Sequence, residues 1–243
     1  MSRQRADVVL VARGLFESRA KARAAIAAGK VSAGGVIITK PSELVDEAAE
    51  ITAEAAHPWV GRGGLKLDHA FNLWPVAVEG RTVLDVGAST GGFTEVCLAR
   101  GAASVFAVDV GQGQLHPTLR TDPRVTNLEG VDARRLDRAV IPVAPDLIVC
   151  DASFIGLAKV LPAALGLSAP GADLVALIKP QFEVGPDHVG KGGIVRDMAA
   201  RQAAVDGVVA WLERLGWAVD GLAESPINGG DGNVEYLIWA HRT

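Results

Sequence analysis

Cysteine is scarce in this 243-residue chain: there are two, Cys97 and Cys150, each inside an apolar stretch. Two such thiols supply neither a disulfide framework nor a zinc cluster, so no metal is expected and a reducing, cytoplasmic setting is the default. Long apolar runs are also missing. The longest, such as Val208–Leu212 and Leu147–Cys150, fall far short of the roughly 20 residues that cross a bilayer, and no membrane partner is expected. The opening stretch, MSRQRADVVLVARGLF, has too short an apolar core for a secretory signal. What the chain has in quantity is apolar character, 49% hydrophobic residues, which excludes a disordered polymer and suffices for a sizeable core.

Charge is unevenly spread. The net charge is −4, yet residues 1–30 carry Arg3, Arg5, Arg13, Arg19, Lys21, Arg23 and Lys30 against only Asp7 and Glu17. Residues 67–243 hold 14 basic and 21 acidic residues. A basic arm on an acidic body suggests that the arm meets a polyanion while the body has another task. A merely solvated basic helix face is the competing reading.

The arm also has local structure signals. Arg5–Arg13 reads as a short helix with Val9 and Leu10 inward, and Ser18 is an N-cap for a second helix over Arg19–Ala28 that Gly29 can end. Gly34-Gly35 between two short β-prone runs signals a hairpin, and Ile51–Ala53 offers a third strand. Arg19 and Arg23 share a helix face, with Lys30 beyond its end, a geometry suited to nucleic-acid phosphates. The run GLFESRAKARAAIAAGKVSAGG at 14–35 resembles the RNA-binding module of ribosomal protein S-four. That resemblance implies a small α+β module at residues 1–56, structured RNA as partner, and RNA contacts from Arg3, Arg5, Arg19, Lys21, Arg23 and Lys30, with Arg62 beyond it.

Residues 57–62 read as a linker around Pro58 and Gly61, and Trp59 there is expected to pack between domains, with stacking on a base as the other reading. Leu65–Leu73 then reads as a helix with Leu65, Leu67 and Leu73 partly inward. From residue 82 strands and helices alternate: strands at Thr82–Val86, Ser104–Val108, Val125–Leu128, Asp146–Cys150 and Leu174–Ile178, a helix at Thr94–Arg100, and a last strand at Tyr236–Ala240. This is the pattern of a doubly wound α/β sheet, which binds ligands beyond the carboxyl ends of its strands where strand order reverses.

The first of these strands ends in Asp85-Val86-Gly87-Ala88-Ser89-Thr90-Gly91-Gly92-Phe93-Thr94, and Asp109 closes the second. Asp109 stands where a carboxylate can accept both ribose hydroxyls of an adenosine, and Asp132 where one could reach the adenine amino group. A dinucleotide fold wants G-x-G-x-x-G around a pyrophosphate. Here the glycines are spaced G-x-x-x-G-G with Asp85 before the first, which suits the cationic S-adenosylmethionine (AdoMet) better. A purely structural turn is the remaining reading.

Base-amine methylation usually involves an Asn/Asp-Pro-Pro-aromatic turn after the fourth strand, and Asp151-Ala152-Ser153-Phe154 lacks it. Cys150, beside Asp151 on a strand, should face away, so Cys150 and Cys97 read as core rather than as nucleophiles. Lys179 follows a buried strand, Asp151 ends its neighbour, Glu235 precedes the last strand, and Lys66 can approach from outside the sheet. Singly each is a weak signal; gathered at one cleft they are a stronger one.

Lys66, Asp151, Lys179 and Glu235 match in order the Lys-Asp-Lys-Glu tetrad of FtsJ-like ribose 2′-O-methyltransferases. GRGGLKL (61–67), DVGASTGGFTE (85–95), VDVGQGQL (108–115), DASFIGL (151–157), LIKPQFEVG (177–185), VGKGGIVRD (189–197) and SPINGGDGNVEY (225–236) further resemble the TlyA family, some of whose members carry a haemolysin label. The resemblance implies a Rossmann-like methyltransferase domain at residues 63–243, AdoMet as cofactor, and 2′-O-methylation of cytidine in ribosomal RNA; the chain's length resembles the shorter family type, associated with large-subunit RNA. It implies cofactor contacts from Asp85, Gly87, Ser89, Thr90, Gly91, Gly92, Phe93, Thr94, Asp109, Val110, Asp132 and Asp151. Catalysis then falls to Lys179, tuned by Asp151 and Glu235, with Lys66 steadying RNA or hydroxyl. A non-catalytic RNA-binding or ribosome-assembly factor, and a membrane-lytic protein, are the alternatives.

Overall fold

The computed structural model describes residues 3–243, and the chain divides into two compact units, Met1–Pro58 and Trp59–Thr243. In the first unit, β1 (Arg3–Arg5) leads into α1 (Ala6–Ala12), and α2 (Arg19–Ala27) follows. Ser18 caps α2, its hydroxyl accepting the Lys21 N–H at 3.3 Å. Beyond Gly29, β2 (Val31–Ala33) and β3 (Val36–Ile37) pair antiparallel. Both intervening residues have positive φ, 56° at Gly34 and 78° at Gly35, as a tight hairpin with the strand twist requires. β4 (Leu44–Asp46) pairs with β1, and β5 (Ile51–Ala53) with β2. Val9, Leu10, Ala22, Ala25, Ile26 and Val31 form the core of this unit.

The second unit runs α3 (Gly63–Leu73), β6 (Thr82–Val86), α4 (Gly92–Ala99), β7 (Ser104–Asp109), α5 (Pro117–Arg120), β8 (Val125–Glu129), β9 (Leu147–Cys150), α6 (Leu157–Val160), α7 (Pro162–Leu167), β10 (Asp173–Ile178), α8 (Pro180–Glu183), α9 (Met198–Arg214), β11 (Trp217–Glu224) and β12 (Tyr236–Arg242). Seven strands form one sheet in the order β11-β12-β10-β9-β6-β7-β8. The five from β10 to β8 are parallel, while β12 is antiparallel to both β10 and β11. Strand order reverses between β6 and β9. Val86 pairs with Val108 and with Cys150, and Ile178 pairs with Tyr236. The carboxyl ends of β6, β7, β9 and β10 therefore share one edge with the amino end of β12, and Gly87, Asp109, Asp151, Lys179 and Glu235 all stand on it.

Strand side chains alternate between two apolar layers. Leu84, Ile148, Cys150 and Leu174 pack on one face with Leu161 and Val208. Val83, Val149, Val175 and Leu177 pack on the other with Leu67, Phe71, Val96 and Cys97. Both cysteines are fully buried, and burial pushes the Cys150 thiol up to about 12, so it is a core residue and not a nucleophile. Trp59 packs against the second layer.

Two expectations fail here. Leu73 is 48% exposed; the inward stripe of α3 is Leu67, Ala70 and Phe71, with Lys66 buried among them, because the three-and-four spacing that meets the sheet runs from Leu67. The edge strand β11 and the β1–β4 pair lie outside the strands expected from sequence. β11 is half exposed and carries a register shift between Val219 and Gly221, and β1 reads Arg-Gln-Arg, so neither has an apolar run to announce it.

Candidate active site

Four ionisable side chains with little exposure meet at the shared edge. Lys179 Nζ lies 2.7 Å from Asp151 Oδ1 and donates to Ser153 Oγ at 2.8 Å. The other oxygen of Asp151 faces Lys66 Nζ at 3.9 Å, and Lys66 donates to Glu235 Oε2 at 2.6 Å. Lys66 and Lys179 are each 7% exposed and Glu235 3%. Desolvated charges persist only when paired, and the alternating sequence Glu235–Lys66–Asp151–Lys179 is neutral in sum. One detail departs from expectation: Glu235 holds Lys66, not Lys179. Lys66 reaches in from α3, on the face of the sheet, and stands between the two carboxylates. At the start of α3, a Cβ on Gly63 would lie 3.1 Å from Asp151 Oδ2, so a larger residue there would crowd that carboxylate.

Beside this array opens a cleft of about 610 Å³ lined by residues after β6, β7, β8 and β9. Gly87, Ser89, Asp109, Val110, Asp132 and Asp151, all expected at the cofactor, line it. Asp109 is held rigidly, its Oδ2 accepting the Ser89 N–H at 2.8 Å and its Oδ1 the Gly111 N–H at 2.7 Å. Each oxygen keeps a lone pair for a further donor. Gly87 has φ 85°, and a Cβ there would sit 2.9 Å from Ala152 Cα, so the β6 and β9 turns approach backbone to backbone. Asp132 shares its place on the cleft wall with Arg134, which engages both its oxygens, the closest contact being 2.7 Å, and that hydrogen bonding holds its carboxyl at about 2.

Six expected cofactor residues do not line the cleft. Asp85 and Thr94 are fully buried beneath the loop, where the Thr94 hydroxyl donates to Asp85 Oδ2 at 2.6 Å. Burial pushes the Asp85 carboxyl up to about 7 against that hydrogen bond, with the charges of Asp151 and Asp109 adding to the rise. Phe93 is 3% exposed and belongs to the core. Gly91, the left-handed N-cap of α4, and Gly92, which backs onto Gly64 of α3, form the turn itself. The Thr90 carbonyl accepts the His116 N–H at 3.2 Å. This segment shapes the loop, and its backbone at Gly87 and Ser89 reaches the cleft.

Several lining residues went unassigned in the sequence. Gln114 accepts the Ser89 hydroxyl at 3.1 Å; its place in the VDVGQGQL run was the available signal. Glu129 fastens that loop: its Oε1 accepts the N–H groups of Gln114 at 2.5 Å and Leu115 at 2.9 Å, and its Oε2 takes Arg120 at 2.9 Å and Asn127 at 3.0 Å. Phe154 lines the cleft at 90% exposure with φ 66°, its ring centroid 5.4 Å from that of Phe182. A bulky residue in the left-handed region is strained, and such strain gathers at functional sites.

The basic residues of the first unit are placed less freely than expected. Arg5, Arg19 and Arg23 all bond to Asp7, Lys21 pairs with Glu17 at 2.6 Å, and Lys30 with Glu54 at 3.0 Å. Arg3 lies exposed in β1. In the second unit Arg62, just before α3, donates to the Asn228 carbonyl at 3.2 Å.

The cleft's charged lining is three carboxylates and one arginine, Asp109, Asp132, Asp151 and Arg134. That balance suits a cationic nucleoside and opposes a pyrophosphate. Fold and site together define an AdoMet-dependent methyltransferase. Residues 59–242 match the FtsJ-like methyltransferase family and residues 4–51 the S4 domain. The chain is 48% identical to the 16S/23S rRNA (cytidine-2′-O)-methyltransferase TlyA of Mycobacterium tuberculosis, covering 98% of this chain and 89% of that one. It is 37% identical to Hemolysin A of Brachyspira hyodysenteriae over 96% and 98% of the two chains. A solved structure from Streptococcus thermophilus that carries a hemolysin name superposes with a TM-score of 0.78 at 39% identity, covering 100% of this chain and 90% of that one. The chain belongs to the TlyA family of FtsJ-like methyltransferases.

Proposed function

We propose that the protein transfers a methyl group from AdoMet to the ribose 2′-hydroxyl of a cytidine in ribosomal RNA, in the cytoplasm. The observation that carries this reading is the buried, alternating Glu235–Lys66–Asp151–Lys179 array at the mouth of a carboxylate-lined cleft. The relatives' activity on cytidine 2′-oxygens supports it. Residues 1–56 serve as the RNA-binding module, with Arg3, Arg5, Arg19, Lys21, Arg23 and Lys30 toward phosphates and Arg62 adding to them. Residues 63–243 hold cofactor and reacting groups, joined to the module through 57–62.

Asp109 would hold the ribose hydroxyls, Gly87, Ser89 and Val110 the adenosine surface, and Asp151 the cationic end, with Asp85 and Thr94 supporting the loop from below. When bound, AdoMet supplies an electrophilic methyl carried on sulfur. Lys179, fixed by Asp151 and Ser153, meets the 2′-hydroxyl and directs its oxygen; the hydroxyl proton passes to the Asp151 carboxylate, the acceptor of the Lys179–Asp151 pair. Lys66, fixed by Glu235, holds Asp151 from its other side. Phe154 offers an exposed ring against which a nucleobase can stack. Holding the two reactants in near-attack geometry supplies much of the acceleration.

The test is methyl transfer to ribosomal RNA by Lys179→Ala protein. The expected result is loss of transfer with AdoMet affinity retained; turnover near that of the wild type refutes the assignment.

A further inference from the structure

We infer that Asp7 is a positioning residue that gathers Arg5, Arg19 and Arg23 into one preorganised cationic plate for RNA phosphates. The inference rests on the RNA-binding role proposed above for the first unit.

Asp7 lies in the first turn of α1 and is 0% exposed. Three guanidinium groups from β1 and α2 converge on it. Arg5 donates from Nε to Oδ1 at 3.0 Å and from Nη2 to Oδ2 at 3.2 Å. Arg19 donates twice to Oδ2, at 3.2 and 2.8 Å, and Arg23 donates to the same oxygen at 3.1 Å. The three arginine side chains remain 42%, 51% and 54% exposed. The carboxylate lies beneath the cluster and the cations open outward.

Three positive groups brought this close repel one another, and as free side chains they would splay. A single carboxylate cancels one charge, leaves the cluster net positive, and ties Arg5 and Arg19 through two donors each and Arg23 through its Nε. Rotamer freedom that flexible arginines would lose on binding RNA is then lost at folding. Bonding to Arg5, and then to Arg19 and Arg23, holds the Asp7 carboxyl well below the usual carboxylate range against the effect of burial, so the carboxylate stays charged throughout the neutral range. Lys21 and Lys30 contrast with this arrangement: their partners Glu17 and Glu54 are 62% and 66% exposed and sit out in solvent with them.

Charge alone and positioning predict opposite signs for Asp7→Asn. Removing a negative charge beside three arginines should tighten binding to a polyanion, whereas releasing the plate should weaken it. The experiment compares full-length wild type and D7N for binding to a ribosomal RNA transcript over a range of salt, with AdoMet affinity and thermal unfolding measured in parallel. The inference expects D7N to bind RNA about tenfold more weakly, with a salt slope shallower by about one despite the added net charge, and to bind AdoMet as the wild type does. D7N that binds RNA equally or more tightly overturns it. Should D7N fail to fold, the wild type decides: sharp, slowly exchanging Nε–H resonances for Arg5, Arg19 and Arg23 in the RNA-free protein support the plate, and averaged ones overturn it. Wild-type protein that binds no ribosomal RNA defeats the RNA reading itself, a failure distinct from unchanged binding by D7N.

Discussion

Lys66 and Lys179 are cations almost without contact with water, and their worth depends on the carboxylates that face them. Removing one partner from a buried pair leaves the other uncompensated, at a cost of roughly 3–5 kcal/mol. Glu235→Gln should therefore lower the melting temperature, and also slow methyl transfer, because Lys66 no longer holds Asp151. A Glu235→Gln protein as stable and active as the wild type would show the pairing to be incidental. Asp85 carries a separate signature. Its carboxyl rises from 3.8 to about 7, so the folded protein holds that proton more tightly than the unfolded chain does. The associated stability is fully present below the unfolded value and is lost as pH rises through about 7. Between about pH 4 and pH 7 the unfolding free energy of the wild type should fall with pH relative to that of Asp85→Asn; parallel profiles of the two proteins contradict the account. Phe154→Ala should raise KM for RNA by about fivefold or more, as loss of a base stack does, while AdoMet affinity holds. Equal KM values would remove Phe154 from the substrate site.

At the scale of elements, the cofactor cleft depends on how the turn after β7 is tied down. Glu129, at the end of β8, accepts two N–H groups of that turn and is held at about 2, chiefly by Asn127 and the Leu115 N–H. Glu129→Gln should weaken AdoMet binding by about tenfold, the scale of a lost charged hydrogen bond, with turnover recovering at saturating cofactor. Calorimetry on the purified variant reads this directly, and an unaltered affinity would mean that the turn holds without Glu129. The central strands were legible because apolar runs such as Leu147–Cys150 are bounded by turn residues, and the Gly34-Gly35 hairpin because few other dipeptides permit its backbone. Asp151, Lys179 and Glu235 could be named from their places at strand ends, and Lys66 from its place on the helix before the sheet. Their pairing could not: Lys66 and Glu235 are 169 residues apart, and nothing local shows that Lys66 stands between Asp151 and Glu235. The burial of Asp85, Phe93 and Thr94 was hidden for a related reason. A glycine-rich motif shows that a loop is tight without showing which of its side chains turn inward.

At the scale of the whole molecule, the net charge of −4 is the sum of a positive excess in residues 1–30 and an acidic excess in residues 67–243, the division of charge on which the proposed split between holding RNA and reacting with it rests. Two relatives carry hemolysin names, yet among the described residues no helix is long and apolar enough to cross a membrane. Purified protein should leave dye-loaded liposomes intact at concentrations that methylate RNA fully, and leakage at those concentrations would revive a lytic role. The central claim, a sugar oxygen delivered to an activated methyl by the Lys179–Asp151 pair, is tested most directly by incubating purified protein with AdoMet and ribosomal RNA and identifying the modified nucleoside by mass spectrometry. The account predicts 2′-O-methylcytidine with the wild type and none with Lys179→Ala; a methyl group on a base, or equal product from the variant, would contradict it.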